Sequence, residues 1–462
     1  MNESMAIDAL ADEIGRGHFQ DRRLARRAAE MSAAIAHSPE KSLPKLFDSA
    51  GLEAAYRFMS NASVTPEVIL SGHFEATRYR CAAEPCVLVV HDTTTMTYRD
   101  NGERRNLGRL VKSGQSFFAH LSLALSGDGS RLPLGVIGLK TFARGEERPL
   151  GQEQQRWFEQ AHLAASRLDS SNHVVHIMDR EADDFALFSR MLGCDHRFVI
   201  RSKSNRLLNA SLSNGAKKLD VAIADIECVV ERTASVSKRI DGKRAPIQKK
   251  IHPARSPRIA TLSFGATRVA IQRPEDQPRS LPKHIELNIV RVWERNPPED
   301  QAPIGWTLFT TEPIDTTDAI VAVIEKYRAR WVVEEYFKAL KTGCDFEAKQ
   351  LRDYEGLINA LAIYCPVAWH LLLLRGKMNQ TPEESARTVL DDDHITVLRT
   401  LGRRPLPPEP TVRDVVLAIA ELGGYIRSKK AAPGWLTIAR GYDDLRMMTV
   451  GWRLAKLQAA MC

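Results

Sequence analysis

Apolar positions in residues 1–77 recur at helix spacing: Leu24, Ala28, Met31 and Ile35 step by three or four, the interval that keeps side chains on one face of a helix. Thr65-Pro66-Glu67 ahead of Val68 and Ile69 predicts a further helix start, with a hydroxyl cap, a proline where its missing N–H costs nothing, and an acid in the first turn. From Cys86 the pattern changes to extended apolar runs at 86–90, 117–125, 134–139, 174–178 and 197–200, which predict strands. The stretch 153–168 has helix-forming composition, so this block predicts a mixed sheet flanked by helices. Residues 204–312 supply more strand-like runs, at 259–264, 285–293 and 306–310, joined by basic, turn-rich links such as 238–250. That is the pattern of a β-rich insertion. After Thr316 the chain turns helical to Cys462, interrupted by a proline-rich link at 405–410, and no internal repeat or low-complexity tract breaks the order.

Length changes this picture by dividing it: 462 residues exceed what one core usually organises, so two or three domains are expected. An apolar fraction of 44% with 26% charged residues excludes a disordered or fibrous chain. A formal net charge of +8 leans toward a polyanionic partner. The apolar stretch 360–374 contains His370 and is too short and polar for a membrane span, and no targeting signal opens the chain, so a cytoplasmic protein without a membrane partner is expected. Seven scattered cysteines (Cys81, Cys86, Cys194, Cys228, Cys344, Cys365, Cys462) without a CxxC pair argue against disulfides or a zinc site and predict buried free thiols. Arg22, Arg23, Arg26 and Arg27 lie within two turns, where one helix could present guanidinium groups to phosphates or simply carry a solvated charged face.

Three carboxylates are candidates for chemistry. The run Val89-Val90-His91-Asp92 delivers an acid at the end of an apolar strand, followed by Thr93, Thr94 and Thr95, and the run 174–178 repeats the design into Asp179. A buried carboxylate is costly unless paired or metal-bound, although either aspartate could instead cap a turn. The third lies in the segment 327–341. At about 100° per residue, Tyr327, Arg330, Glu334 and Lys341 fall on one narrow stripe, Glu335 falls off it, and Val332, Val333, Tyr336, Phe337 and Leu340 form a separate apolar face. A surface helix with i,i+4 ion pairs would share that stripe.

The spacing of Tyr327, Arg330, Glu334 and Lys341 resembles the YREK signature of bacterial DDE cut-and-paste transposases of the insertion-sequence-four family, the type borne by transposon Tn-five. His91-Asp92-Thr93-Thr94 resembles that family's first-aspartate segment, Asp179-Arg180-Glu181-Ala182-Asp183 its second, and Arg197-Phe198-Val199-Ile200-Arg201-Ser202-Lys203 the strand that follows. Ala55-Tyr56-Arg57-Phe58 and Leu422-Gly423-Gly424-Tyr425 extend the resemblance over nearly the whole chain.

The resemblance implies an α/β fold with a ribonuclease-H-like catalytic core at 78–350, interrupted by a β-rich insertion at about 204–312. It further implies a helical DNA-end-binding domain at 1–77 and a helical dimerisation region at 351–462. Asp92, Asp179 and Glu334 would hold two Mg²⁺ ions, Mn²⁺ substituting, with Asp92 as the bridging ligand. Two such ions serve nicking, hairpin formation, hairpin opening and joining to target DNA as in-line displacements at phosphorus. Tyr327, Arg330 and Lys341 would hold phosphates, Arg201 and Lys203, two apart on a strand, would face DNA, and Trp306 would stack on a flipped base. Trp306 also fits a plain core position in an alternating strand. Glu181, Asp183, His91 and His120 receive no catalytic role. The partners implied are double-stranded DNA and a second copy of the chain. The competing readings are a DNA-binding protein without catalysis and a nuclease that cuts without joining.

Overall fold

The N-terminal helices begin where the sequence supplies an oxygen to take up open backbone N–H groups. In the computed structural model, which describes residues 7–98, 104–111, 114–143, 151–169, 173–239, 254–299, 301–427 and 432–461, helix α1 (Ile7–Gly15) is followed by α2 (Arg22–His37), opened by Asp21 accepting from the Arg23 N–H at 2.8 Å. After the short α3 (Leu43–Leu46), Asp48 caps α4 (Ser49–Met59) through the Gly51 N–H. Thr65 caps α5 (Pro66–Ala82) through the Val68 N–H at 3.3 Å, with Pro66 first and Glu67 in the first turn, as the sequence predicts. Ala28, Met31 and Ile35 are buried along α2, so the helix spacing points where expected.

The chain divides into two compact units, 1–152 with 159–173 and 331–462, and 153–158 with 174–330. In the first, β1 (Cys86–Tyr98) pairs antiparallel with β3 (Gly114–Ser126), which also pairs with β2 (Gly108–Val111) and β4 (Pro133–Phe142). Behind β4 lie α5 and the 27-residue α11 (Tyr354–Gln380), against which α2 and α4 also pack. This helix corrects the expectation of a run too short to span a membrane: it is long and apolar enough by length and composition. Yet 94% of its most apolar window is buried inside the protein. Its apolar run is therefore explained by core packing.

A buried polar cluster fastens α1 to this core. His73 on α5 accepts the Val136 N–H at Nε2 (3.1 Å), which leaves the proton on Nδ1 to donate to Glu13 (2.6 Å). Arg80 donates to the other Glu13 oxygen at 2.6 Å and lies 4.3 Å from the Trp369 ring centroid. Burial alone would raise the Glu13 carboxyl, but His73 and Arg80 bring it from an ordinary 4.5 down to about 2. A depressed carboxylate stabilises the folded state above its unfolded pKa and loses that contribution as pH falls through the folded value. Glu13→Ala is therefore expected to cost about 3 kcal/mol at neutral pH, read as a lower Tm. The gap to wild type should close between pH 4.5 and about 2; equal melting at pH 7 would remove the cluster from the stability account.

In the second unit a mixed six-stranded sheet runs in the order β5 (His173–Met178), β6 (Arg197–Arg201), β10 (Gly305–Thr310), β9 (His284–Arg295), β8 (Arg258–Gln272), β7 (Val230–Val236). Only β5 and β6 are parallel among these described strands. Helix α6 (Gly151–Arg167) contributes residues 153–158, and α7 (Phe185–Gly193), α8 (Leu219–Ala224) and α9 (Thr317–Arg328) complete the unit. Phe188 on α7 stacks on Phe198 at 5.7 Å and meets Phe309 at 5.3 Å, tying helix and sheet together.

The predicted runs all fall on strands, while the short β2 and the edge strand β7 were not predicted. The basic link at 238–250 lies, from residue 240, outside the described residues, as does Cys462. Cys81, Cys344 and Cys365 are buried as expected, but Cys194 and Cys228 are exposed and Cys86 is half-buried. Cys194 ends α7 and Cys228 precedes β7, so both sit in connections outside the core.

Candidate active site

The three carboxylates are distributed over the two units: Asp92 and Glu334 belong to the first and Asp179 to the second. In the first, the buried run Val87–Val90 carries β1 to Asp92, opposite Leu121 of β3. Asp92 is not the end of its strand, as the sequence suggested. β1 continues to Tyr98, because the β-branched Thr93, Thr94, Thr95 and Thr97 suit a half-buried strand and pair with β3 in register. Asp92 is half-exposed, and its Oδ1 accepts the Thr93 N–H at 2.8 Å.

His91 and His120, buried and stacked at 6.1 Å, support this strand. His91 bonds Ser122, His120 bonds Thr93, and burial holds His91 well below its ordinary pKa, hence neutral.

Glu334 stands half-exposed on α10 (Trp331–Lys338), which packs on β1. Its buried face is Val333, Tyr336 and Phe337, continued by Leu340; Val332 is only half-buried. The single wheel from Tyr327 to Lys341 does not hold. Helix α9 ends at Arg328, residues 329–330 form a turn, and a π-helical turn, Ala339–Gly343, follows α10. Each break resets the roughly 100° step on which that stripe relied. Lys341, in the π turn, donates to the Thr95 carbonyl of β1 and pairs with Glu347 at 3.3 Å, while Glu347 accepts the Thr97 N–H at 2.8 Å. The lysine is thus already directed onto the strand that carries Asp92.

In the second unit Asp179 follows β5, and its Oδ1 accepts the Glu181 N–H at 2.8 Å to open the 3₁₀ turn Arg180–Ala182. The turn cap that the sequence offered as an alternative is thus present, and it engages Oδ1. Tyr327, only 6% exposed, has Asp179, Arg201 and Arg330 around its phenol. Burial raises the Tyr327 pKa, while the positive charges of Arg330 and Arg201 pull it back. A carboxylate and two guanidinium groups thus lie within electrostatic reach of one hydroxyl.

Beside this cluster is an open groove of about 590 Å³ in which Arg180, Arg201 and Arg291 line the approach to Trp306. Arg291 lies 4.9 Å from the Trp293 ring centroid. Trp306 is half-exposed rather than a core residue, and its buried Nε1–H finds no acceptor among the described residues. Lys203 does not share a strand face with Arg201. β6 ends at Arg201, and Lys203 lies in the following loop, where its N–H donates to Asp183 at 2.6 Å. On α2, Arg22, Arg23 and Arg26 are exposed and Arg27 is half-buried; Arg23 pairs with Asp21 and both Arg26 and Arg27 with Glu30. Exposed pairs of this kind are worth about 1 kcal/mol or less, so a phosphate can compete with Glu30.

Half-exposed Asp92, Asp179 and Glu334 supply hard oxygen donors without a thiol or imidazole among them, a set that suits divalent ions which keep reactive water. The family comparisons agree with that chemistry. Residues 7–64 match the transposase DNA-binding family, and residues 87–367, more than half of the chain, match the transposase DDE domain.

The chain belongs to the DDE transposases. It is a DNA-binding enzyme that cleaves and transfers DNA with divalent metal ions, and its DDE region runs from β1 into α11, taking in Asp92, Asp179 and Glu334. The DNA-binding match covers α1 through α4. Among solved structures, a cryo-EM synaptic complex of piggyBac transposase with hairpin DNA matches 84% of this transposase and 78% of its own chain, at 10% identity and a TM-score of 0.36.

Proposed function

We propose that this transposase is a cut-and-paste enzyme of the insertion-sequence-four, Tn-five type, which binds the ends of its element, excises it through a DNA hairpin and joins it to target DNA. The observation that supports the reading is the groove lined by Arg180, Arg201 and Arg291 at Trp306, with Arg201 and Arg330 in electrostatic reach of Tyr327 beside Asp179, an arrangement suited to holding phosphate near a carboxylate. Asp92, Asp179 and Glu334 would hold two divalent ions, Mg²⁺ with Mn²⁺ able to substitute, with Asp92 as the shared ligand. Bound there, such ions would supply activation of the attacking water or 3′ hydroxyl and stabilisation of the leaving oxygen.

Tyr327, Arg330, Lys341, Arg201 and Lys203 hold the phosphates near the cut, and the helical region at 1–77 grips the element end, with Arg22, Arg23, Arg26 and Arg27 on its backbone. The ribonuclease-H-like core spans 78–350 with its insertion at about 204–312. The protein acts in the cytoplasm, on the nucleoid. Synapsis requires a second copy, which the helical region 351–462 would contact. In its final helix α14 (Trp435–Met461), Met447, Val450, Leu454 and Leu457 recur by three and four and are 62%, 41%, 58% and 62% exposed, an apolar seam of coiled-coil spacing. Aspartate at both Leu454 and Leu457 is expected to leave single-end binding within twofold and to reduce the paired-end complex about tenfold or more in a gel-shift assay; undiminished pairing would move the dimer contact elsewhere.

Trp306 stacks on a base flipped from the duplex near the cut. Stacking of this kind contributes about 1–3 kcal/mol, so Trp306→Ala should slow excision about tenfold or more, with Trp306→Phe close to wild type. Equal losses in both variants would indicate packing rather than stacking. The reading as a whole is tested by a time course on end-labelled element DNA in Mg²⁺. Nicked strands, then hairpins, then joined products are expected. Cleavage without joining would make the protein a nuclease, and binding without cleavage a DNA-binding regulator.

A further inference from the structure

Asp183 is fully buried in its side chain and takes no part in the chemistry assigned above, yet it gathers four donors. Its Oδ2 accepts the backbone N–H of Lys203 at 2.6 Å and of Ser204 at 3.2 Å, while its Oδ1 accepts Arg206 Nε at 2.9 Å and also Nη2. Arg206 returns a further bond to the Asp183 carbonyl at 2.7 Å and packs over the Phe188 and Phe309 rings, 5.5 and 6.0 Å from their centroids. A charge so enclosed is retained only with its donors in place.

The clasp joins two segments of function. Asp183 closes the turn that begins at Asp179, and the loop it grips begins at Arg201. The Ser202 N–H donates to the Thr307 carbonyl at 2.8 Å, next to Trp306. Backbone, not side chain, is what Asp183 holds at Lys203 and Ser204. It therefore fixes the path of the chain that carries Arg201 and Lys203 relative to Asp179.

We propose that Asp183 is a positioning residue that sets where Arg201 and Lys203 meet the DNA backbone. The inference rests on the reading of those two residues as phosphate contacts. Each phosphate contact contributes about 0.9 to the slope of log K against log salt, and a displacement of about 1 Å near a reacting centre can cost a hundredfold in rate.

The test uses full-length protein and a labelled duplex of the inverted repeat flanking the gene, with wild type, Arg201→Ala, Lys203→Ala, Asp183→Asn and the Asp183→Asn/Lys203→Ala double variant. Asparagine keeps an acceptor oxygen and the shape but removes the charge that holds Arg206. Asp183→Asn should lower the salt slope by about two, roughly 0.9 for each of the two contacts, and slow cleavage about tenfold or more, and adding Lys203→Ala should lower the slope no further. A wild-type slope in Asp183→Asn, or additive losses in the double variant, would overturn the proposal. Unchanged slopes in both alanine variants would instead show that Arg201 and Lys203 are not phosphate contacts, and the inference would fall with that reading. Should Asp183→Asn not fold, Arg206→Lys keeps the cation without the fork, carries the same expectation, and overturns the proposal if its slope is that of wild type.

Discussion

Alanine at Asp92, Asp179 or Glu334 is expected to reduce strand cleavage and joining at least about a thousandfold, because on the proposed reading each change removes a metal ligand that every displacement at phosphorus needs. End binding should persist within a few-fold, since the N-terminal DNA-binding region at 7–64 contains none of the three. Asp179 needs a second variant, because alanine there also deletes the oxygen that accepts the Glu181 N–H. Losing such a cap costs about 1 kcal/mol. Asp179→Asn preserves the acceptor and should be as inactive as alanine while melting close to wild type. Gel-based cleavage assays beside thermal melts separate the two effects. A variant that cuts within tenfold of wild type would remove that residue from the triad.

Arg330→Ala should lower the cleavage rate about a hundredfold, the scale of losing one charge-assisted contact to a phosphate at the reacting centre. The residue is half-buried, and its N–H donates to the Tyr327 carbonyl at 3.0 Å, so on the proposed reading its guanidinium would approach DNA from an ordered turn. Lysine at 330 should recover only part of the rate, because an ammonium is a point charge without the planar fork. The salt slope of end binding should fall by about one in the alanine variant. Wild-type rate and slope together would assign Arg330 a purely structural part.

Most of the strand framework was legible because the apolar runs are local and long: those at 86–90, 117–125 and 197–200 lie on β1, β3 and β6. What escaped depends on distance along the chain. β2 has four residues and gains its place by pairing with β3, and nothing local in Gly108–Val111 announces a strand.

The candidate site was readable as residue types and order, but its geometry was not. No glycine or proline marks the break at 329–330, and Gly343 comes only at the end of the π turn, so a uniform helical step looked justified and Lys341 was placed on one continuous helix with Tyr327. Its pairing with Glu347 on the β1 edge depends on Thr95 and Thr97, roughly 250 residues earlier. Asp183 was set aside as a rejected ligand. Its acceptor role shows only once Lys203, Ser204 and Arg206 are brought to it. The two-residue strand periodicity likewise failed at Lys203, because Asp183 ends the strand at Arg201 by claiming the next free N–H groups.

The central claim, that this carboxylate set uses divalent ions to join DNA as well as cut it, is tested most directly by strand transfer. Purified protein, labelled duplexes carrying the element ends and a supercoiled plasmid would be incubated with Mg²⁺, with excess chelator, and with Glu334→Ala in place of wild type. The account predicts label covalently joined to plasmid in the first reaction alone. Joined product formed in chelator or by Glu334→Ala, or bound ends that wild type never joins in Mg²⁺, would contradict it.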